Sequence, residues 1–301
     1  MVSEQFLTDT ALHADIVLPA TTQLEQLDLM FSWGHFYLTW NEPAIPPLGD
    51  AVSNSELFRR LAAVMDFDDP YFRRSDEEMI RDALDWNAPA VAGITIDSLR
   101  QRGFARLNVG APDQRTPHAE GQFLTPSGKC QFKSPLAAAG SFVLPNFRQG
   151  YTGAQAGTPV ADVADYIPPY ESPLGRAKES LRYPLSLITP KSHAFLNSGY
   201  ANMPVQRHVA GEQCAILHPD DALARGIRDG TSVAVFNDRG RVICRARLTT
   251  DVMTGVVAIH SGYWRKDSRT AAAVNVLAGA KLGNIGRSPA FSDIAVQVAL
   301  A

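Results

Sequence analysis

The run from Arg241 to Thr250 constrains the fold more than any other. Val242, Cys244, Ala246 and Leu248 fall on one face of an extended chain, and Arg245, Arg247 and Thr249 on the other. A period of two with one apolar face is the signature of a half-buried strand. Just before it, Asn237-Asp238-Arg239-Gly240 offers side chains that bond their own backbone, then a glycine, which is hairpin-turn chemistry. Arg239 and Arg241 flank that turn and are expected on a solvated rim. Further β-rich runs occur at Tyr183–Thr189, Gln213–Leu217, Thr231–Phe236, Gly255–His260 and Asp293–Leu300. The one helical pattern among them, Pro219 to Gly226, has proline in its first turn, acids at its positive end and glycine past its last turn. Six strands and one short helix predict a small barrel over residues 183–301.

The first 134 residues read differently. Ile16-Val17-Leu18 looks like a buried strand, within an expected strand Ala14–Pro19 that has almost nothing before it to pair with. An irregular stretch follows, then helices announced by Ser53-x-x-Glu56 and Ser75-x-x-Glu78, spacings at which each side chain can satisfy the other's free amide. A third helical pattern, Asp97 to Arg102, stops at Gly103. Gln122-Phe123-Leu124 and Cys130-Gln131-Phe132 flank a Pro- and Gly-containing segment and predict a short hairpin. From Pro135 to Pro184, seven prolines and five glycines in fifty residues suggest a wrapped linker. The expected organisation is a mixed α/β region (1–134), a linker (135–182) and a β domain (183–301).

Composition excludes several functions. Twenty-eight basic residues against 31 acidic give a net charge of -3, so no field of one sign gathers nucleic acid. The amino terminus has no basic n-region, and no apolar run approaches bilayer-spanning length, so neither a secretory signal nor membrane insertion is expected. The three cysteines, Cys130, Cys214 and Cys244, are too far apart in sequence for a metal knuckle. P-loop, zincin and nucleophile-elbow motifs are lacking, which weakens a hydrolase reading. Gly279-x-x-x-Gly283-x-x-Gly286 follows no suitable strand and reads as a surface loop.

Several segments, in order, carry a resemblance. Thr8-Asp9-Thr10-Ala11-Leu12-His13-Ala14-Asp15-Ile16-Val17-Leu18-Pro19-Ala20, followed by Glu25 and Asp28, is similar to a segment of the molybdopterin oxidoreductases of the dimethyl sulfoxide reductase family. So are Ala44-Ile45-Pro46-Pro47-Leu48-Gly49 and the helix after it. Leu187 to His193, His218 to Gly230, Asn237 to Gly240, Val274 to Leu277 and Pro289-Ala290-Phe291 resemble that family's carboxy-terminal dinucleotide-binding domain, a double-psi barrel.

The resemblance implies a fold and a role. The fold is a partial α/β region followed by a double-psi β-barrel, and the role is to grip a molybdopterin guanine dinucleotide while molybdenum passes oxygen atoms or electrons. In the family, the metal's protein ligand and an iron–sulfur domain lie upstream of the first matching segment, so both are expected in a separate amino-terminal segment or subunit. The compartment stays open, cytoplasmic by default and periplasmic for an exported parent. Such a ligand needs cations and amides aimed at phosphates and ring edges. Thr189, Lys191, His193, Asn197 and Ser198 have that composition, with Lys191 suited to a phosphate or pterin carbonyl and His193 to the pterin ring. Asn275, an isolated amide in an apolar run, needs a partner if buried. Thr8, Asp9 and Glu25 sit near the expected carboxyl rim of the first strand, where open α/β sheets bind ligands. The competing expectation is a stand-alone barrel that binds a partner and has no redox role.

Overall fold

The computed structural model describes residues 1–139, 161–164, 166, 171, 182–280, 289 and 291–301. Most of the expected linker, and Gly283, Gly286 and Ala290, lie outside the described residues. The chain divides into two compact units, Met1–Leu124 and Thr125–Ala301.

In the first unit, β1 (Val2–Glu4) pairs in parallel with β2 (Val17–Pro19), Val2 opposite Val17. Two expectations are corrected here. The first strand does have a partner before it, three residues too short to show as a pattern. Its apolar run is also not buried: Ile16 is 54% and Val17 36% exposed. An apolar run records what a strand can bury, and among the described residues nothing covers these two side chains.

The stretch expected to be irregular instead contains a hairpin, β3 (Asp28–Phe31) with β4 (Tyr37–Asn41), extended by β5 (Phe104–Arg106) into an antiparallel sheet. Leu38 and Trp40 alternate inward from β4 and meet Ile80, Val91, Ile96 and Leu99 in the unit's core. Ile80 comes from α2 (Asp76–Ala83), and Ile96 and Leu99 from α3 (Ile96–Arg102). The α2 capping box forms in full between Ser75 and Glu78. That of α1 (Asn54–Val64) forms only by half. Ser53 accepts from the Glu56 amide, but the Glu56 carboxylate turns away from the Ser53 amide to Arg59 (3.0 Å) and Arg60 (2.7 Å), three and four residues further along the helix. Gly103 ends α3 at φ +78°, a left-handed conformation that favours glycine.

The predicted hairpin around residues 122–132 forms its turn and not its strands. The Gly128 amide donates to the Thr125 carbonyl (2.9 Å), yet Leu124 and Phe132 are 104% and 83% exposed. Their alternation finds no core to dock against, and without one a two-stranded ribbon is marginal.

The second unit holds all six expected strands: β6 (Leu185–Ile188), β7 (Cys214–Leu217), β8 (Ser232–Phe236), β9 (Arg241–Leu248), β10 (Val256–Ile259) and β11 (Ala295–Leu300). They close a barrel in the order β10-β6-β11-β8-β9-β7. Leu187, Ala215, Leu217, Val233, Val235, Val242, Val257, Ile259 and Val296 are fully buried inside it, and the alternation read from β9 holds, with Val242, Cys244 and Ala246 inward. Before β11 comes α4 (Pro135–Ala138), then α5 (Pro204–Ala210), which the sequence reading missed, and α6 (Pro219–Leu223), capped by the His218 ring nitrogen on the Asp220 amide (3.2 Å).

Closure makes the interior unforgiving. Leu187→Ala should lower stability by about 2–5 kcal/mol, whereas Arg247→Ala on the outer face of β9 should change it by about 0.5 kcal/mol or less. Urea unfolding of the full chain, followed by tryptophan fluorescence, measures both.

Candidate functional site

Strand directions decide which loops meet. β6 and β10 are parallel, β7 is antiparallel to β10, β9 parallel to β7, β8 antiparallel to β9, and β11 antiparallel to both β8 and β6. The carboxyl ends of β6, β8 and β10 and the amino ends of β7, β9 and β11 therefore share one end of the barrel. The loop from Thr189, the Asn237–Gly240 hairpin, the segment from Ser261 and the approach to β11 all emerge there. The turn carrying Asn275 is tied to the same end, because the Asn237 side-chain amide donates to the carbonyls of Leu277 (2.9 Å) and Ala295 (3.1 Å). Two sequence segments more than eighty residues apart thus reach one rim.

The loop after β6 is held from beneath. The Pro190 carbonyl accepts from the Ser261 amide (2.9 Å), and Phe195 is buried edge-on against Tyr263 with ring centres 5.2 Å apart. The Trp264 indole donates to the Ser198 carbonyl (2.9 Å). Gly262, at φ +102°, lies so close that a Cβ there would meet the Asn197 carbonyl oxygen at 2.1 Å. Asn197 and Tyr200 take positive φ themselves, 54° and 67°, a conformation for which asparagine is suited. Above these anchors Lys191, His193, Asn197 and Ser198 are exposed and Thr189 is half-buried. Lys191 pairs with no acidic side chain among the described residues. The result is a set of donors on an already ordered backbone.

His260, Gly262, Tyr263 and Trp264 were not singled out from the sequence, although a Gly-Tyr-Trp run at the carboxyl end of a strand is an available signal. His260 is held below the ordinary histidine range by burial, then by Arg247 and by His193. A depression of about 470 Å³ opens beside the loop between Phe195, Tyr263, Arg207, His208 and Gln213.

Asn275 is exposed, and the apolar run around it is a 3-10 turn, Val274–Leu277, that buries Val274 and Leu277. The period of three places the amide at the surface, so no burial demands a partner. Arg239 and Arg241 are both exposed, as expected of a rim, but Arg239 also forms a two-pronged ion pair with buried Glu171 (2.7 and 2.8 Å). The neighbours of Glu171 gave the sequence no pattern from which this pair could be read.

In the first unit, Thr8, Asp9 and Glu25 follow the carboxyl ends of the parallel strands β1 and β2, and Gln5 links the two loops through the Thr21 carbonyl (2.8 Å). Thr8 accepts from the Ala11 amide (3.3 Å). The buried Glu25 accepts from the amides of Thr22 (2.7 Å) and Leu48 (2.8 Å), and these bonds, that of Thr22 first, hold its carboxyl below the usual range. No three His, Cys, Asp or Glu side chains converge as a metal site among the described residues. Burial pushes the Cys244 thiol up to about 12, away from the thiolate that binds metals.

Comparison with known proteins places this geometry. Residues 185–295 match the family described as Molydopterin dinucleotide binding domain, and residues 1–64 match Molybdopterin oxidoreductase. The chain is 32% identical to "Probable oxidoreductase YoaE" of Bacillus subtilis over 99% of its own length and 39% of that protein's. It is 29% identical to "Dimethyl sulfoxide reductase DmsA" of Escherichia coli over 88% of its length and 32% of that protein's. In fold, 99% of the chain superposes on 40% of acetylene hydratase from Pelobacter acetylenicus, with a TM-score of 0.69 and 19% identity. The chain thus spans under half the length of the relatives it matches. With the barrel, its ordered rim loop and these matches in agreement, the chain belongs to the molybdopterin oxidoreductase family and carries that family's dinucleotide-binding domain.

Proposed function

We propose that the rim of the barrel grips a molybdopterin guanine dinucleotide, with Lys191 toward a phosphate or pterin carbonyl, His193 and Asn275 toward the pterin, and Thr189, Asn197 and Ser198 completing the polar lining. One observation carries the reading: strand direction brings the Thr189–Ser198 loop and the Asn275 turn to the same end of the barrel, with their donors exposed. The donor set fits the ligand. A lysine without an acidic neighbour among the described residues, hydroxyls and two amides match a diphosphate and the hydrogen-bonding edges of fused heterocycles. We read the barrel as double-psi, a reading supported by its two parallel pairs, β6 with β10 and β7 with β9.

When bound, the cofactor supplies a metal centre for oxygen-atom or electron transfer. This chain's residues bind and orient it. Lys191 balances phosphate charge, and the anchored loop fixes the donors before binding, which reduces the ordering cost. Within the first unit, Thr8, Asp9 and Glu25 are assigned to cofactor binding at the carboxyl ends of β1 and β2. Glu25 acts there as a brace, since its oxygens already hold the loops at Thr22 and Leu48.

The metal's protein ligand and an iron–sulfur cluster belong, in this proposal, to a further segment or subunit. The exposed Phe6, Ile16 and Val17 around β1 and β2 support such a neighbour, because a parallel pair wants both faces covered.

Three outcomes test the proposal. Full-length chain from cells that make the cofactor should release guanine nucleotide on mild acid treatment. Lys191→Ala should cut that retention about 10- to 100-fold, the size of one charge-assisted hydrogen bond, and Asn275→Ala about tenfold, that of a neutral one, while Arg228→Ala, exposed before β8 at the opposite end, should not. Equal losses at all three would mean a general charge or folding effect. Limited proteolysis should cut residues 1–124 well before residues 183–301, and equal resistance would remove the case for a covering neighbour. His260 should make the protein acid-sensitive. Its folded value lies below the unfolded one of about 6.5, so full stability is present above that pH and is lost as pH falls through the folded value. Thermal unfolding of His260→Gln should show a flatter dependence between about pH 7 and 5.

A further inference from the structure

We infer that Asn237-Asp238-Arg239-Gly240, a hairpin turn by sequence, is the seat that positions the Asn275 turn, with Glu171 as its clamp. The inference rests on the reading that Asn275 meets the dinucleotide.

Each residue of the seat has a separate contact. Asn237 closes its own turn by accepting from the amides of Arg239 (3.0 Å) and Gly240 (3.3 Å), and its side-chain NH₂ donates outward to the Leu277 and Ala295 carbonyls. Asp238 accepts from the Tyr183 hydroxyl (2.6 Å) and pairs with Arg182 (2.9 Å), which ties the hairpin to the start of β6. Arg239 uses all three of its guanidinium nitrogens: Nη1 and Nη2 donate to Glu171, and Nε donates to the Leu277 carbonyl (2.8 Å). Gly240 receives Val276, where an added Cβ would lie 2.5 Å from the Val276 Cγ2 and 3.1 Å from its carbonyl oxygen. The turn is therefore fastened at the first and second residues beyond Asn275, while the Asn275 side chain is left exposed.

Glu171 fixes the seat in turn. Its side chain is 4% exposed, its carboxylate also accepts from the Ala295 amide (2.9 Å), and its own amide donates to Asp293 (2.8 Å). Two-pronged arginine–carboxylate pairing is directional as well as strong. A part-buried ion pair contributes little net stability, because desolvation offsets the attraction, and an ordinary Asn-Gly turn suffices to close a β-hairpin. The arrangement is explained by geometry: it holds the Leu277 carbonyl from two sides and so sets where Asn275 points. Arg239, Gly240 and Glu171 are positioning residues on this view, with no contact of their own to the cofactor.

The test uses the full chain and two readouts. Amide hydrogen exchange across residues 274–278 without ligand reports the turn, and guanine nucleotide released by acid reports retention. Arg239→Ala and Gly240→Ala should each raise exchange at least tenfold and lower retention at least tenfold. Asn275→Ala should lower retention alone. Arg239→Lys, which keeps one charged bond, should restore part of both signals, and together with Glu171→Gln it supplies the comparison if the harsher variants fail to fold. Unchanged exchange in the Arg239 and Glu171 variants would overturn the inference, as would faster exchange with wild-type retention. Wild-type retention in Asn275→Ala, or no guanine nucleotide in the wild type, would instead defeat the dinucleotide reading on which it rests.

Discussion

β6 is the strand on which the rest of the second unit depends. It pairs in parallel with β10 through Val256–Ser186 and antiparallel with β11 through Ala295–Ser186, so one four-residue strand bridges β10 and β11, and the antiparallel β10–β7 pair completes the barrel. Closure removes both free edges at once. It also sets strand polarity, and polarity selects which loops share an end. The interior that holds β6 is aliphatic, with Leu185 and Leu187 against the buried valines of β8, β9, β10 and β11. A non-directional hydrophobic core thereby fixes the placement of directional polar groups at the rim.

The rim is ordered by a different kind of contact. Phe195 and Tyr263 supply apolar anchorage, the Trp264 indole supplies a hydrogen bond, and Gly262 allows backbone to pass within a distance no other residue tolerates. On the other side of the same end, the Asn237–Gly240 hairpin and Glu171 hold the turn after Val274. Side chains that would meet an anion stand on backbone that is already committed. An anionic ligand then orders little on binding, which favours affinity.

The first unit follows another logic. Its small core of Leu38, Trp40, Ile80, Val91, Ile96 and Leu99 joins the three-stranded sheet to α2 and α3. Around β1 and β2, however, Phe6, Ile16 and Val17 remain exposed, and Phe58 on α1 is 58% exposed. Helix α1 accordingly gains its definition from the Ser53 cap more than from burial, with Ala62 its one buried residue, and the Glu56–Arg59–Arg60 ion pairs add slightly to it. Exposed pairs of this kind contribute little each.

The sequence by itself determined the six barrel strands, the inward set Val242, Cys244 and Ala246, the stop of α3 at Gly103, and the family resemblance. Each is a local signal, since strand period, helix caps and turn glycines are written within a few neighbouring residues. Only the tertiary structure decided that Ile16 and Val17 are exposed, that Asn275 stands outward on a 3-10 turn, that Arg239 pairs with a glutamate 68 residues away, and that the loops at Lys191 and Asn275 emerge at the same end. The physical reason is common to all four. Burial, ion pairing and strand polarity depend on which distant segment arrives alongside, and that is settled by closure of the barrel and packing of the core.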